Sequence, residues 1–274
     1  MATTTMQQLA DTVGYIKNIY SAAPIAGIVL GSGLGNLVNE ITVEQEISYS
    51  DIPHFPVSTV QGHGGKLILG ELCDKKVAVM SGRFHFYEGY TAKQIAYPVR
   101  VLKMLGIKTL LVSNAAGGVH PGFKVGDLMI IRDHISLFVQ NPLIGPNEED
   151  IGTRFPDMSE PYDKEIIARA KEIGTQYGFD LKEGVYTGLT GPSFETRAEY
   201  KLIKILGGDA VGMSTIQEVI TAVHAGLKVF GVSVITNMGI REEENAMTHE
   251  EVLALAKDAE PKLSLLFKEI VRVL

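Results

Sequence analysis

A single cysteine, Cys73, is all the thiol this chain carries, which excludes an intrachain disulfide and a cysteine-rich metal site. No window reaches the ~18 to 20 apolar residues of a membrane span. The opening MATTTMQQ has neither the basic stretch nor the apolar core of a secretory signal. Positive charge is also short: 25 Lys and Arg stand against 32 Asp and Glu, for a net charge of −7. No nucleic-acid or membrane-surface partner is expected, because both need a basic face, and an anionic substrate must be met by cations gathered locally. There is no internal repeat, and no low-complexity tract beyond Thr3 to Thr5. With 274 residues, 45% of them hydrophobic, and no compositional break, the expectation is one cytoplasmic domain over residues 1–274 with a sizeable core.

What the chain does have is an alternation of short apolar runs and amphipathic segments. Leu9, Val13, Ile16 and Tyr20 recur at helical spacing, and Pro24 closes that helix before Ile25 to Leu30, which reads as a buried strand. KLILGEL and KVAVMSG, joined by Cys73 and Asp74, read as a hairpin. TLLVS, DLMII, GVYTGL, DAVGM and KVFGVSVITN read as further strands with helices between them. The expected fold class is α/β, a single domain whose central mixed β-sheet is flanked by helices.

Helix starts are marked by capping boxes at Thr91 to Gln94, Thr196 to Glu199, Ser214 to Gln217 and Thr248 to Glu251. The first opens a helix through Ile95, Val99 and Leu102. The second predicts a buried face of Ala198, Leu202 and Ile205, and the third one of Ile216, Val219, Ile220 and Val223. Just before the second helix, Phe194 is either a staple residue or a face for a flat ring. Glu195, at the positive end of the dipole, is either a dipole complement or an acceptor for a ligand N–H. Ser214 is either an N-cap or, with Met213, a pocket wall at a helix N-terminus.

Several loops carry chemistry of their own. Gly31, Ser32, Gly33 and Gly35 follow the first strand and suit close backbone approach to a phosphate. The dinucleotide fingerprint needs a sixth-position glycine where Asn36 stands, and Asp51 lies in turn-forming SYSDIP, so a Rossmann oxidoreductase is the minor alternative. QGHGGK sets His63 between glycines. GRFHFY alternates Arg83, His85 and Tyr87 on one side of an extended segment against Phe84 and Phe86 on the other, a cationic stripe suited to phosphate plus a sugar. NAAGG, Asn114 to Gly118, reads as a small-residue loop whose amides reach a ligand. Residues 141–162 read as a long surface excursion, and His249 by local pattern as a solvated residue of a first helical turn.

GSGLG, the glycine-flanked His63, GRFHFYEGY, SNAAGG, NPLIGPN with RFPDMS, GPSFET, VGMS, Asn237 and HEEVL, in this order across nearly the whole chain, resemble the trimeric, low-molecular-mass purine nucleoside phosphorylases. The resemblance implies phosphate held by Ser32, His63, Arg83, His85, the backbone of Ala115 and Ser214. It implies ribose held by Tyr87, Met213 and His249 together with Phe155 from a neighbouring subunit of a homotrimer. The base falls to Phe194, Glu195 and Asn237, and the catalytic set to Asn237, Glu195, His85 and His249. The implied reaction is phosphorolysis of purine (2′-deoxy)ribonucleosides, inosine and guanosine before adenosine, with inorganic phosphate as co-substrate and neither metal nor cofactor. Methylthioadenosine phosphorylase is the nearest alternative, but Asn237 and Glu195 suit a 6-oxopurine better.

Overall fold

The structure is a computed structural model that describes residues 5–32, 34–60, 64–239 and 249–274, without the side chains of His249 and Glu251. Helix α1 (Thr5–Ile19) buries Leu9, Val13 and Ile16 at the expected spacing, and β1 (Ala26–Leu30) is buried at every position. β2 (Thr42–Ser48), β3 (Lys66–Leu72) and β4 (Lys75–Ser81) form an antiparallel meander. Cys73 and Asp74 turn between the last two at φ 52° and 61°, the positive-φ pair whose twist suits a two-residue hairpin loop. α2 (Ala92–Leu105) starts from Thr91, which accepts from the Gln94 amide in a complete capping box. Then come β5 (Thr109–Gly118), β6 (Leu128–Ile135), α3 (Lys164–Tyr177), β7 (Leu181–Gly188), α4 (Arg197–Ile205), β8 (Ala210–Gly212), α5 (Ile216–His224), β9 (Lys228–Met238) and α6 (His249–Val273).

Among the described residues the strands make one mixed sheet in the order β2-β3-β4-β1-β5-β8-β7-β6-β9, and β9 pairs again with β5, so the last five strands close on themselves. Strand β5 is the axis of the site. It runs parallel to β9 from Thr109 to Gly118, but β1 accompanies it only as far as Val112, and β8 joins it, antiparallel, only at Gly117 and Gly118. Between those limits the β1/β8 edge of β5 has no strand neighbour among the described residues. Backbone groups on such an edge must find other partners, which a ligand can supply.

Three expectations are corrected here. NAAGG is not a loop, because β5 continues through Gly118 paired with β9, with a register shift between Ala116 and Gly117. Helix α4 turns Tyr200 and Ile203 inward, while Leu202 and Ile205 are 46% and 81% exposed and Ala198 is also exposed. Tertiary contact made by the Tyr200 hydroxyl outweighs the apolar period. The Rossmann alternative fails as well: β1 leads through a short 3₁₀ turn, Asn36–Glu40, into β2, so there is no helix N-terminus to receive a pyrophosphate.

Candidate active site

One pocket opens along the unpaired stretch of β5, lined by Asn114 to Gly117 of that strand. Ser32 reaches it from the end of β1, Arg83, His85 and Tyr87 from the end of β4, Phe194 and Glu195 from the loop before α4, Met213 and Ser214 from the loop after β8, and Asn237 from β9. Two glycines make the convergence possible. A Cβ on Gly31 would lie 2.8 Å from the Ser113 carbonyl and 2.9 Å from Asn114 Cα, so only glycine lets the chain cross β5 and present Ser32. A Cβ on Gly117 would lie 2.9 Å from the Tyr200 hydroxyl and 3.2 Å from Asn237 Nδ2, so glycine leaves room for those two side chains to meet.

At one end, Arg83 is 1% exposed. Its Nε and Nη2 donate to the two Glu218 carboxylate oxygens at 2.9 and 2.8 Å, and Nη1 donates to the Ser113 carbonyl. The expected cationic stripe is therefore corrected on two counts. Arg83 enters the pocket with its charge offset by Glu218, and the extended alternation ends at His85, because Phe86–Glu88 form a 3₁₀ turn. His85 and Tyr87 still share a side, since their rings stack at 4.7 Å and 15°.

That turn fixes the ionisation of His85. Burial pushes its pKa below the usual histidine value, and the hydrogen bond to Glu88 opposes this only in part. Burial also pushes the Glu88 carboxyl up, but hydrogen bonds from the His85 ring, the Thr59 amide and hydroxyl and the His85 amide outweigh it, bringing the carboxyl down to about 2. A neutral His85 thus donates Nδ1–H to Glu88 at 3.2 Å, which makes Nε2 an acceptor. A carboxyl lowered by folding stabilises the protein above its unfolded pKa and loses that contribution as pH falls through the folded value. Glu88→Gln should therefore lower the melting temperature by a constant amount above about pH 5, and the gap should close between about pH 4.5 and 2. A gap that persists at the acid end would assign the loss to packing.

Ser214 reaches the pocket because the expected capping box does not form. Ile216 N–H bonds back to the Ser214 carbonyl at 2.8 Å, closing a γ-turn on Thr215 at φ 74°, ψ −48°. A β-branched residue in that region is strained, and such strain concentrates at functional sites. Asn114 Nδ2 donates to Thr215 Oγ1 at 2.8 Å and helps hold the turn. Freed from capping, Ser214 keeps its hydroxyl 3.1 Å from Thr215 Oγ1 at the N-terminus of α5.

At the other end, Asn237 is 8% exposed. Thr236 Oγ1 donates to its Oδ1 at 3.2 Å, and its Nδ2 donates to the Tyr200 hydroxyl at 3.3 Å. These two bonds fix the amide orientation and leave the second Nδ2 hydrogen for a ligand. Phe194 is 45% exposed and Glu195 half-buried beside it, and Thr196 caps α4 in a complete capping box.

Ser32, Arg83, His85, Tyr87, Ala115, Phe194, Glu195, Met213, Ser214 and Asn237 are thus brought together. His63 and the side chain of His249 lie outside the described residues, as does Thr248 of the fourth capping box. Phe155 does not line the pocket of its own chain; it is 85% exposed, with the Arg154 guanidinium 5.6 Å from its ring centre. Sequence reasoning missed Glu88, Tyr200 and Glu218. Of these only Glu218 left a signal, as an acid on the inward face of an apolar helix start. Among the described residues no cluster of His, Cys, Asp or Glu is placed to hold a metal ion, and no helix is long and apolar enough to cross a membrane.

Residues 25–272 match the family model described as the phosphorylase superfamily. Purine nucleoside phosphorylase 1 of Geobacillus stearothermophilus is 48% identical over 272 residues, covering 99% of this chain and 98% of that protein. A crystal structure of schistosoma purine nucleoside phosphorylase in complex with hypoxanthine superposes with a TM-score of 0.94 at 41% identity, covering 100% of this chain and 99% of that one. The Schistosoma mansoni enzyme in complex with adenosine gives 0.93 at 42%, covering 99% of each.

Proposed function

The chain belongs to the phosphorylase superfamily, and within it to the purine nucleoside phosphorylases; from that membership we propose which of its residues hold each part of the substrates, and that it prefers 6-oxopurines. The reaction is phosphorolysis. Phosphate oxygen bonds to the anomeric carbon, the glycosidic bond breaks, and its electron pair enters the purine, giving free base and (deoxy)ribose 1-phosphate.

In this reading phosphate lies along the open edge of β5, against Ser32, Ser214, the Ala115 backbone, Arg83 and His85. The nearly neutral Arg83–Glu218 pair makes this a site of convergent donors more than of net charge. His85, an acceptor at Nε2, suits the proton carried by a phosphate monoanion or dianion. Tyr87 and Met213 meet the sugar between the two ends, and His63 and His249 complete the set by family resemblance.

At the base end Phe194 takes a ring face, Glu195 accepts the N1–H of hypoxanthine or guanine, and Asn237 donates to N7 as charge develops there. Two reactants held this way can gain roughly 7 to 11 kcal/mol from positioning alone, which suits a pocket of hydrogen-bonding groups. The observation that carries the reading is the amide of Asn237, held by Thr236 and Tyr200 at the wall of the pocket. Since a relative is found with adenosine bound, the preference has to be tested by turnover and not by occupancy.

The exposed Phe155 supports a homotrimer in which that ring covers the sugar of a neighbour. Phe155→Ala should raise KM for inosine several-fold while leaving phosphate binding unchanged. Mixed oligomers of Phe155→Ala chains with chains inactivated at Asn237 should regain active sites in which an intact Asn237 faces a neighbour's intact Phe155. Full activity from a dissociated monomer would rule out the shared site.

A further inference from the structure

A second cavity, of about 330 Å³, lies away from the catalytic pocket, between α1, α2 and the segment 142–148. That is far more than the ~10–15 Å³ a single water needs. Its lining includes Arg100, Lys93, His54, Gln94 and Glu148. Arg100 is the unusual member. It is 8% exposed, and its Nε is buried with no hydrogen-bond partner. Burial pushes its pKa down, and the field of Glu148 offsets this in part without any bond between them. A guanidinium cannot shed its proton as a buried lysine can, and a buried charge left without a hydrogen-bonded counter-ion is costly.

The surroundings supply more donors than acceptors. Lys93 Nζ sits against Gly145, where a Cβ would lie 2.8 Å from it. Gln94 has its Oε1 committed to the Thr91 amide and hydroxyl, so its amide N–H groups face outward as donors. Among the charged groups of the lining, Arg100 and Lys93 stand against the single carboxylate of Glu148, while Asp11, 3.6 Å from His54, is not part of it.

We propose that this cavity is a second anion site, distinct from the catalytic pocket, in which Arg100 and Lys93 bind a phosphoryl dianion. Inorganic phosphate and a sugar 1-phosphate share that chemistry, and both fit the volume. The segment that forms one wall runs on toward Phe155, so an anion here would tie that excursion to α1 and α2.

The test is the stoichiometry of binding on the full-length protein, with inorganic phosphate and ribose 1-phosphate as separate probes, by equilibrium dialysis over a range well beyond saturation of the first site. Two molecules per chain are expected for at least one probe. Lys93→Gln, at an exposed position, should weaken the second site roughly tenfold, and Arg100→Met should abolish it. Glu148→Gln should tighten it, an outcome that a purely structural role for these residues does not produce. One molecule per chain with both probes, or a second site indifferent to Lys93 and Glu148, would overturn the proposal.

Discussion

Replacing Arg83 by methionine is expected to lower the unfolding free energy by about 3–5 kcal/mol, because it strands the Glu218 carboxylate, 3% exposed, without its bidentate partner. Adding Glu218→Leu should recover most of that loss, since a buried ion pair is often replaceable by apolar side chains of similar volume. Phosphorolysis should fall in both variants, because the fork that lines the pocket is absent from both. Denaturant midpoints and the KM for phosphate, measured on the single and the double variant, separate the two roles. A double variant that regains stability and full phosphate affinity would make Arg83 a structural residue only.

Asn237→Asp is expected to cut kcat on inosine by about 10²–10³, the usual cost of losing one donor aimed at charge developing in the transition state. The change is nearly isosteric, and its local consequences can be read from the hydrogen bonds. Tyr200 would donate to the new carboxylate instead of accepting, and Thr236 would donate as before, so the side chain should keep its place. The donor toward N7 becomes an acceptor, which opposes a 6-oxo group and favours a 6-amino group. The ratio of adenosine to inosine turnover should therefore rise even as overall activity drops. An unchanged ratio would remove Asn237 from the base site, whatever happened to kcat.

Features set by residues three or four apart were legible in the sequence. The capping boxes at Thr91 and Thr196, the Cys73–Asp74 hairpin and the inward face of α1 all follow from local bonds, and all are present. Features decided by distant partners were not. Glu218 lies 135 residues from Arg83, and nothing in GRFHFY says that its guanidinium is already engaged. Ser214 has the letters of a capping box, but the γ-turn on Thr215, braced by Asn114 from β5, directs it to the pocket instead. On α4 the apolar letters Leu202 and Ile205 suggested a buried face, whereas Tyr200 is drawn inward by its bond to Asn237. NAAGG read as loop because the packing reasons for its glycines, room for the Tyr200–Asn237 contact at Gly117 and for Met238 and Ile235 at Gly118, exist only in three dimensions. The site residues themselves were found through family motifs more than through periodicity.

The most direct test of the account is the release of free base from inosine, guanosine and adenosine, each with and without phosphate. In the proposed base site an N1–H of hypoxanthine or guanine would satisfy Glu195, whereas the bare N1 of adenine would set acceptor against acceptor, at a cost of about 1–3 kcal/mol or roughly five- to 150-fold in rate. Hypoxanthine and guanine should therefore appear only when phosphate is present, with one (deoxy)ribose 1-phosphate formed for each base released, and adenine should appear at least that much more slowly. Adenosine cleaved as fast as inosine, or inosine cleaved without phosphate, would contradict the account.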